Sequence, residues 1–357
     1  MVPCVALRGG TEALADDELR RMTDAPAASR RRLLAALGLA PLGLAPLRRA
    51  HAQALLPGSA TLLVPGPEGG AHARWAERLA QAIATGAPTA VQVQADVLGG
   101  ADGVTAANRF AAEAAPDGRS LLVLAGAAAQ ARLAGDSRAK FDHAGWLPVC
   151  ASLGCAVVAG RGPRPALGAP ARPPVSVAVG GPEGSGAAAL LAFDLIGLAA
   201  LPVAGNPTQL WREGRAQALL LSGPALPARL AALGAEPWFV LDPATGERDP
   251  TLPEVPPMAE LATAQAPALL GACRAAGAAA RLLAGLVLPA LTPADQVALW
   301  RNAVQRWLEE ETRGSALTGL AVPGAEAAAV MAVMSPGPEA VLAYREWLLR
   351  RLGWQSP

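Results

Sequence analysis

Lysine is almost missing from this sequence of 357 residues: Lys140 is the single one among 30 Lys+Arg. Aromatic residues amount to 4%. So few rings argue against a stacking platform for single-stranded nucleic acid. A formal charge of +1 lacks the basic excess of a nucleic-acid binder. The four cysteines include no CxxC pair, and there is no His-rich tract, so a zinc site is not indicated. Past residue 52 the only histidines are His72 and His143. A lone histidine of this kind is ordinarily a surface or packed residue before it is a base. What is abundant is apolar: 52% hydrophobic residues, with 38 Gly and 33 Pro, which excludes wholesale disorder. Alanine supplies much of the mean hydropathy of +0.30.

The N-terminus reads as an address. Leu33–Leu47 is shorter than the ~20 residues of a spanning helix and contains Pro41 and Pro46. Ser29-Arg30-Arg31-Arg32-Leu33-Leu34 precedes it and Ala50-His51-Ala52 follows. Charge, a short apolar run, then small-x-small is the layout of a secretory signal. The S-R-R-x-L-L order resembles a twin-arginine export signal, and Arg48 and Arg49 fit that route. Residues 1–52 are therefore expected to be a cleavable signal, with Met1 or Met22 as the start and the periplasm as destination. The segment carries eight of the 30 basic and five of the 29 acidic residues, so the rest has a net charge of −2. The remaining 305 residues suit two lobes of about 150 each. Leu282–Leu291 is too short for a second span and contains Pro289. Of the cysteines, Cys150 and Cys155 either pair as a disulfide in an oxidising compartment or sit as buried thiols, with Cys273 left over.

Strand and helix signals then alternate. Thr61–Val64 is a β-favouring run, Pro65–Gly70 a turn, and Ala71–Ala84 has helical spacing. Val91 and Val93, a Gly-rich loop to Gly103, a helix over Val104–Ala115 and a strand over Leu121–Leu124 repeat the order. Trp146–Ala159 is apolar with only Gly154 interrupting. The grammar restarts with a strand over Val175–Val179, a loop over Gly180–Gly186 and a helix over Ala187–Leu198. Further strands are expected at Leu219–Leu221 and Phe239–Leu241, and helices over Ala266–Leu286, Pro293–Glu311 (with Thr292 as cap) and Glu339–Leu352. This order implies parallel sheets covered by helices, in two α/β units.

Each unit opens with a Gly-rich turn into a helix, and both turns carry one phrase: Gly66-Pro67-Glu68-Gly69 and Gly181-Pro182-Glu183-Gly184. Such turns either permit a tight strand-to-helix connection or expose N–H groups that bind a carboxylate or phosphate without a basic side chain. Catalytic readings are weaker. Gly184-Ser185-Gly186-Ala187-Ala188-Ala189 fits a dinucleotide fingerprint, but Val203, Ala204 and Gly205 stand where its acidic residue is due. Glu183 before Gly184-Ser185 breaks the G-x-S-x-G elbow. Glu68 and Glu183 remain the one candidate acid/base pair.

From Leu62 to Trp354 the chain resembles the Bug family of periplasmic solute receptors, the substrate-binding components of tripartite tricarboxylate transporters. Leu62–Gly70 is similar to the family's V-P-F-P-P-G-G loop. Gly99–Gly103 is similar to its second Gly-rich segment, and Ala115-Pro116-Asp117-Gly118-Arg119-Ser120-Leu121-Leu122 to A-P-D-G-Y-T-L-L. Trp146–Val149 resembles D-F-x-P-V, and Gly180–Gly186 stands where the family has S-S-G-x-G-S. Leu252–Glu260 resembles L-P-x-V-P-T-x-x-E, and Leu288–Pro293 A-P-A-G-T-P. The chain departs from the family at Val203 and Ala204, where it has Tyr and Lys, and at Gln217, where it has Asp.

The resemblance implies an α/β fold of the type II periplasmic-binding-protein kind: two lobes, each a mainly parallel sheet flanked by helices, joined by two crossing strands. Lobe 1 would hold 53–155 and 285–357, lobe 2 would hold 156–284, and closure would hinge near Ala156 and Leu286. It implies no enzyme and no cofactor or metal. It implies a monomer that captures a small polar solute and meets membrane permease subunits transiently, or presents its ligand to a sensor protein. The expected ligand contacts are Pro65, Gly66, Pro67, Glu68, Gly69, Gly70 and Ala71; Gly126 and Ala127; Gly180, Gly181, Glu183, Gly184, Ser185 and Gly186; and Gly205. Glu68 and Glu183 either point to solvent or place negative charge at the ligand. The inward arrangement would repel a citrate-like ligand and favour one bearing an amine or amide.

Overall fold

A computed structural model describes residues 55–87, 90–166, 173–181, 183–241, 248–263, 266–313 and 319–354. The expected export signal lies outside them. In chain order the elements are β1 (Ser59–Pro65), α1 (Ala71–Gly86), β2 (Gln92–Leu98), α2 (Val104–Glu113), β3 (Ser120–Leu124), α3 (Gly126–Ala134), β4 (Leu147–Leu153), β5 (Cys155–Gly160), β6 (Val175–Val179), α4 (Gly186–Leu195), β7 (Ala200–Ala204) and α5 (Pro207–Arg212). They continue with β8 (Ala218–Gly223), α6 (Leu226–Leu233), β9 (Glu236–Val240), α7 (Met258–Leu261), α8 (Pro267–Arg281), β10 (Leu282–Leu288), α9 (Ala294–Ala303), α10 (Gln305–Arg313), β11 (Leu320–Pro323), α11 (Gly324–Met334) and α12 (Pro338–Leu352).

Two sheets result, one ordered β11-β4-β10-β3-β1-β2 and the other β7-β6-β8-β5-β9. In the first, β1 to β4 run one way and β10 and β11 the other. In the second, only β5 opposes its neighbours. The strands against the grain include β5 and β10, each entered directly after the chain changes sheets. The change occurs between Leu153 and Cys155, and again where α8 runs into β10 at Leu282. Cys155 thus belongs to the second sheet and Leu282–Ala284 to the first.

The crossings lie side by side. Gly154 N–H donates to the Arg281 carbonyl at 2.7 Å. The Arg281 guanidinium, itself buried, pairs with buried Asp249 at 2.5 Å. Burial pushes the Asp249 carboxyl up, but Arg281 and the Thr251 N–H outweigh it and hold it below its ordinary value. Cys150 and Cys155 are separate buried thiols, as is Cys273, so the disulfide alternative does not hold. Burial raises the Cys150 and Cys155 thiols far above their usual range, which leaves them inert.

Alanine makes α8 the packing axis. Its Ala272, Ala275, Ala276, Ala278 and Ala279, with Gly277, are buried. Small side chains let neighbouring helices approach closely, so one core cluster runs from α3 through α8 to α12 and into the second sheet and α4. The helix α4 is apolar all round, with Ala187–Phe193 buried, and so lies between layers. Two expectations fail here. Leu282–Leu286 is strand, because pairing with β3 and β4 outweighs the helical preference of the run. Thr292 does not cap the next helix: its hydroxyl donates to the Pro289 carbonyl at 2.8 Å, and Pro293 holds the cap position. The helices α3 and α11 arise from Ala-rich runs not assigned to helix from the sequence.

Two outcomes follow from these contacts. A Cβ at Gly126 would lie 2.0 Å from the Ala279 carbonyl oxygen and 2.6 Å from that of Leu282. Gly126→Ala is expected to cost about 3 kcal/mol or more, lowering Tm in a melting scan by about 6 °C. Asp249→Ala strands the buried Arg281 charge and is expected to cost about 3–5 kcal/mol in urea unfolding, part of which Arg281→Met in the same chain restores.

Candidate functional site

The cleft between the sheets opens beside the crossings. His72 at the start of α1, Ala125–Ala127 and Gln130 at the start of α3, and Leu282 and Leu283 of β10 line one side. Glu183–Ser185 before α4, and Ser222 and Gly223 at the end of β8, line the other; Ala279 and Ala280 of α8 form the floor. The volume is about 250 Å³. That is smaller than the roughly 300–1,000 Å³ of drug-sized sites and suits a small metabolite.

The helices α3 and α4 begin at the cleft and α1 reaches it with His72, and no side chain caps any of them: Gly70, Ala125 and Ser185 hold the cap positions without a side-chain hydrogen bond. At α3 the Ala128 N–H donates to the Ala125 carbonyl at 3.1 Å, and at α4 the Ala187 and Ala188 N–H groups donate to the Gly184 and Ser185 carbonyls. The N–H groups ahead of these are the ones at the helix start, where the dipole adds partial positive charge. The lining side chains contribute no Arg or Lys and one carboxylate, Glu183. Glu183 folds back over its own turn, and a Cβ on Gly181 would lie 2.8 Å from its Oε1.

His72 Nε2 lies 3.1 Å from the Leu283 carbonyl. Burial is the larger influence on its pKa and pulls it below the usual histidine value, against the raising effect of that hydrogen bond. A neutral ring facing a carbonyl carries its proton on Nε2, so Nδ1 is an acceptor. Gln130, 2% exposed, donates from Nε2 to the Tyr344 hydroxyl at 3.0 Å, and its Oε1 is buried without a partner. Among the described residues no group of three or more His, Cys, Asp or Glu is placed to hold a metal.

Of the expected contacts, Gly126, Ala127, Glu183, Gly184 and Ser185 line this cleft. Pro65–Ala71 do not. Pro65 and Gly66 are buried against the neighbouring loop, where a Cβ on Gly66 would meet the Gly99 carbonyl at 2.3 Å. Pro67, Glu68, Gly69 and Ala71 face solvent, with Gly70 at the cap of α1. The side chain that reaches the cleft from this segment is His72. Gly180 and Gly205 are exposed, and Gly181 and Gly186 stand behind Glu183 and Ser185; none of the four is in the lining. The two Glu-bearing turns are thus not equivalent: Glu183 lies at the cleft and Glu68 outside it. Sequence reasoning missed Gln130, Ser222 and Gly223. Gln130 had one signal, a lone amide in the small-residue run Gly126–Ala134.

No protein-family model matches the sequence, and no curated protein matches it. Solved structures do. A TctC solute-binding protein from Polaromonas, without ligand, superposes with a TM-score of 0.58 at 18% identity, over 82% of this chain and 98% of its own. The periplasmic binding protein BugD gives 0.50 at 17% identity, over 82% and 97%. A periplasmic transporter gives 0.50 at 17% identity, over 84% and 98%. The fold is that of the periplasmic solute-binding proteins. In a two-lobed solute-binding fold the space between the lobes, beside the crossing strands, is where hinge closure reduces solvent access. The cleft of this chain occupies that place.

Burial also sets a pH response for this solute-binding fold. His143, 3% exposed beside Phe141 and Trp146, is lowered by burial against the raising effect of Asp142. Both His72 and His143 fold neutral, so the unfolded chain binds more protons in acid. Stability is expected to be full above the unfolded pKa of 6.5 and to fall as pH drops below it. Melting scans between pH 7.5 and 5 check this, and the slope should flatten in His143→Phe.

Proposed function

We propose that the chain is a divergent receptor of the Bug type, which captures a small polar solute in the periplasm and delivers it to a tripartite tricarboxylate-type permease. The observation that carries the reading is the cleft at Gly126, Glu183 and Ser222, at which two uncapped helices, α3 and α4, begin and whose lining holds no basic side chain. Backbone N–H groups at such termini hold a carboxylate, and the absence of Lys and Arg keeps binding reversible and weakly selective for dianions. Glu183 disfavours a second negative charge and favours a carboxylate that also carries an amine or amide. The fold shared with TctC and BugD supports a receptor and not an enzyme.

In this reading residues 1–52 direct export and are removed. The two sheets, between which the chain passes after Leu153 and again at Leu282, belong to different lobes, which close as a monomer about Gly154 and Arg281. The permease meets the closed form transiently.

Protein purified after export is expected to release a small acid on denaturation, identified by mass spectrometry, and to gain thermal stability from that acid added back. Titration calorimetry tests the electrostatics. Glu183→Gln should tighten succinate binding about fivefold, whereas Glu68→Gln should leave it unchanged. Equal behaviour of the two variants would remove the carboxylate from the cleft.

A further inference from the structure

The bond to Tyr344 uses only one end of the buried Gln130 amide. The residue sits one turn into the small-residue helix Gly126–Ala134, where leucine or alanine would bury more simply. One end of its amide is engaged, Nε2 donating to Tyr344, which is 0% exposed. The other end, Oε1, is dry and without a partner, although the residue forms part of the cleft lining. A buried acceptor left open costs free energy, and a native fold retains one where something else fills it.

We propose that Gln130 is the specificity-determining acceptor of the cleft, its Oε1 taking a hydrogen bond from an N–H group of the bound solute. The proposal rests on the receptor reading above and deepens it. Two neighbours make the same demand. His72 uses Nε2 on the Leu283 carbonyl and turns an acceptor, Nδ1, elsewhere; Glu183 is an acceptor throughout. The helix termini take the carboxylate and these three side chains take donors. The solute class is therefore a small acid that also bears an amide or amine. Tyr344 is a positioning residue: its hydroxyl accepts from Nε2 while Oε1 is left open, and its own ring is stacked on Trp347 at 5.9 Å.

Calorimetry with matched pairs, succinamate against succinate and asparagine against aspartate, tests this on the full chain. The native protein should bind the amide member about tenfold tighter, and Gln130→Met should lose most of that preference, keeping only the part that Glu183 contributes by repelling the diacid. Tyr344→Phe, which removes one oxygen and little volume, should shrink the preference and keeps the test open if Gln130→Met does not fold. A preference unchanged in either variant, or a native preference for the diacid, overturns the role of Gln130 and leaves the receptor reading standing. Binding of neither pair overturns both.

Discussion

Close approach of small residues to the helix Pro267–Arg281 is the constraint on which the rest of the structure depends. Its buried face is alanine and glycine, so backbone meets backbone instead of side chain meeting side chain. That places the start of Gly126–Ala134 hard against the Ala279 and Leu282 carbonyls, where only glycine fits. It also carries the C-terminal helix and the second sheet into one core. Dispersion grows with the number of close contacts, so a helix lined with alanine can be as cohesive as one lined with leucine if its partners come near enough. Aromatic residues, scarce throughout, are spent at a few edge-on contacts such as Trp75 with Trp307 and Phe110 with Trp146.

The same helix ends at the crossings and builds the floor of the cleft. Arg281 closes it, with its carbonyl on Gly154 and its guanidinium on Asp249. Ala279 and Ala280, immediately before it, line the cavity. The residues that tie the sheets together and those that line the cleft are therefore neighbours in sequence. A change in the angle between the sheets would alter the shape of the cleft directly.

Electrostatically the cleft is divided. Backbone supplies the partial positive charge, through the starts of Gly126–Ala134 and Gly186–Leu195. Side chains supply acceptors: the carboxylate of Glu183, the amide of Gln130 and the neutral ring of His72. Burial keeps His72 uncharged, so the division persists at neutral pH. The proposed solute, with one acidic and one donor-bearing end, matches that division without a lysine, which the sequence all but lacks.

Much of the architecture was legible from the residues alone. Alternating apolar runs and Gly-rich turns located β1, β3, β6 and the helices after β1, β2 and β6, because period and turn chemistry are local properties. The two Gly-Pro-Glu-Gly turns were visible as a pair for the same reason. Their inequality was not: Glu183 lies at the cleft and Glu68 outside it because of how each turn packs, on Gly181 in one case and beside Gly99 in the other. Nor could the sequence show that Leu282 ends a helix and begins a strand, since the partners that recruit it, β3 and β4, lie more than a hundred residues away. His72 and Gln130 looked like a lone histidine and a lone amide in sequence. Only the tertiary fold brought them to one cavity, because residues far apart along the chain become neighbours through long-range packing that local patterns do not encode.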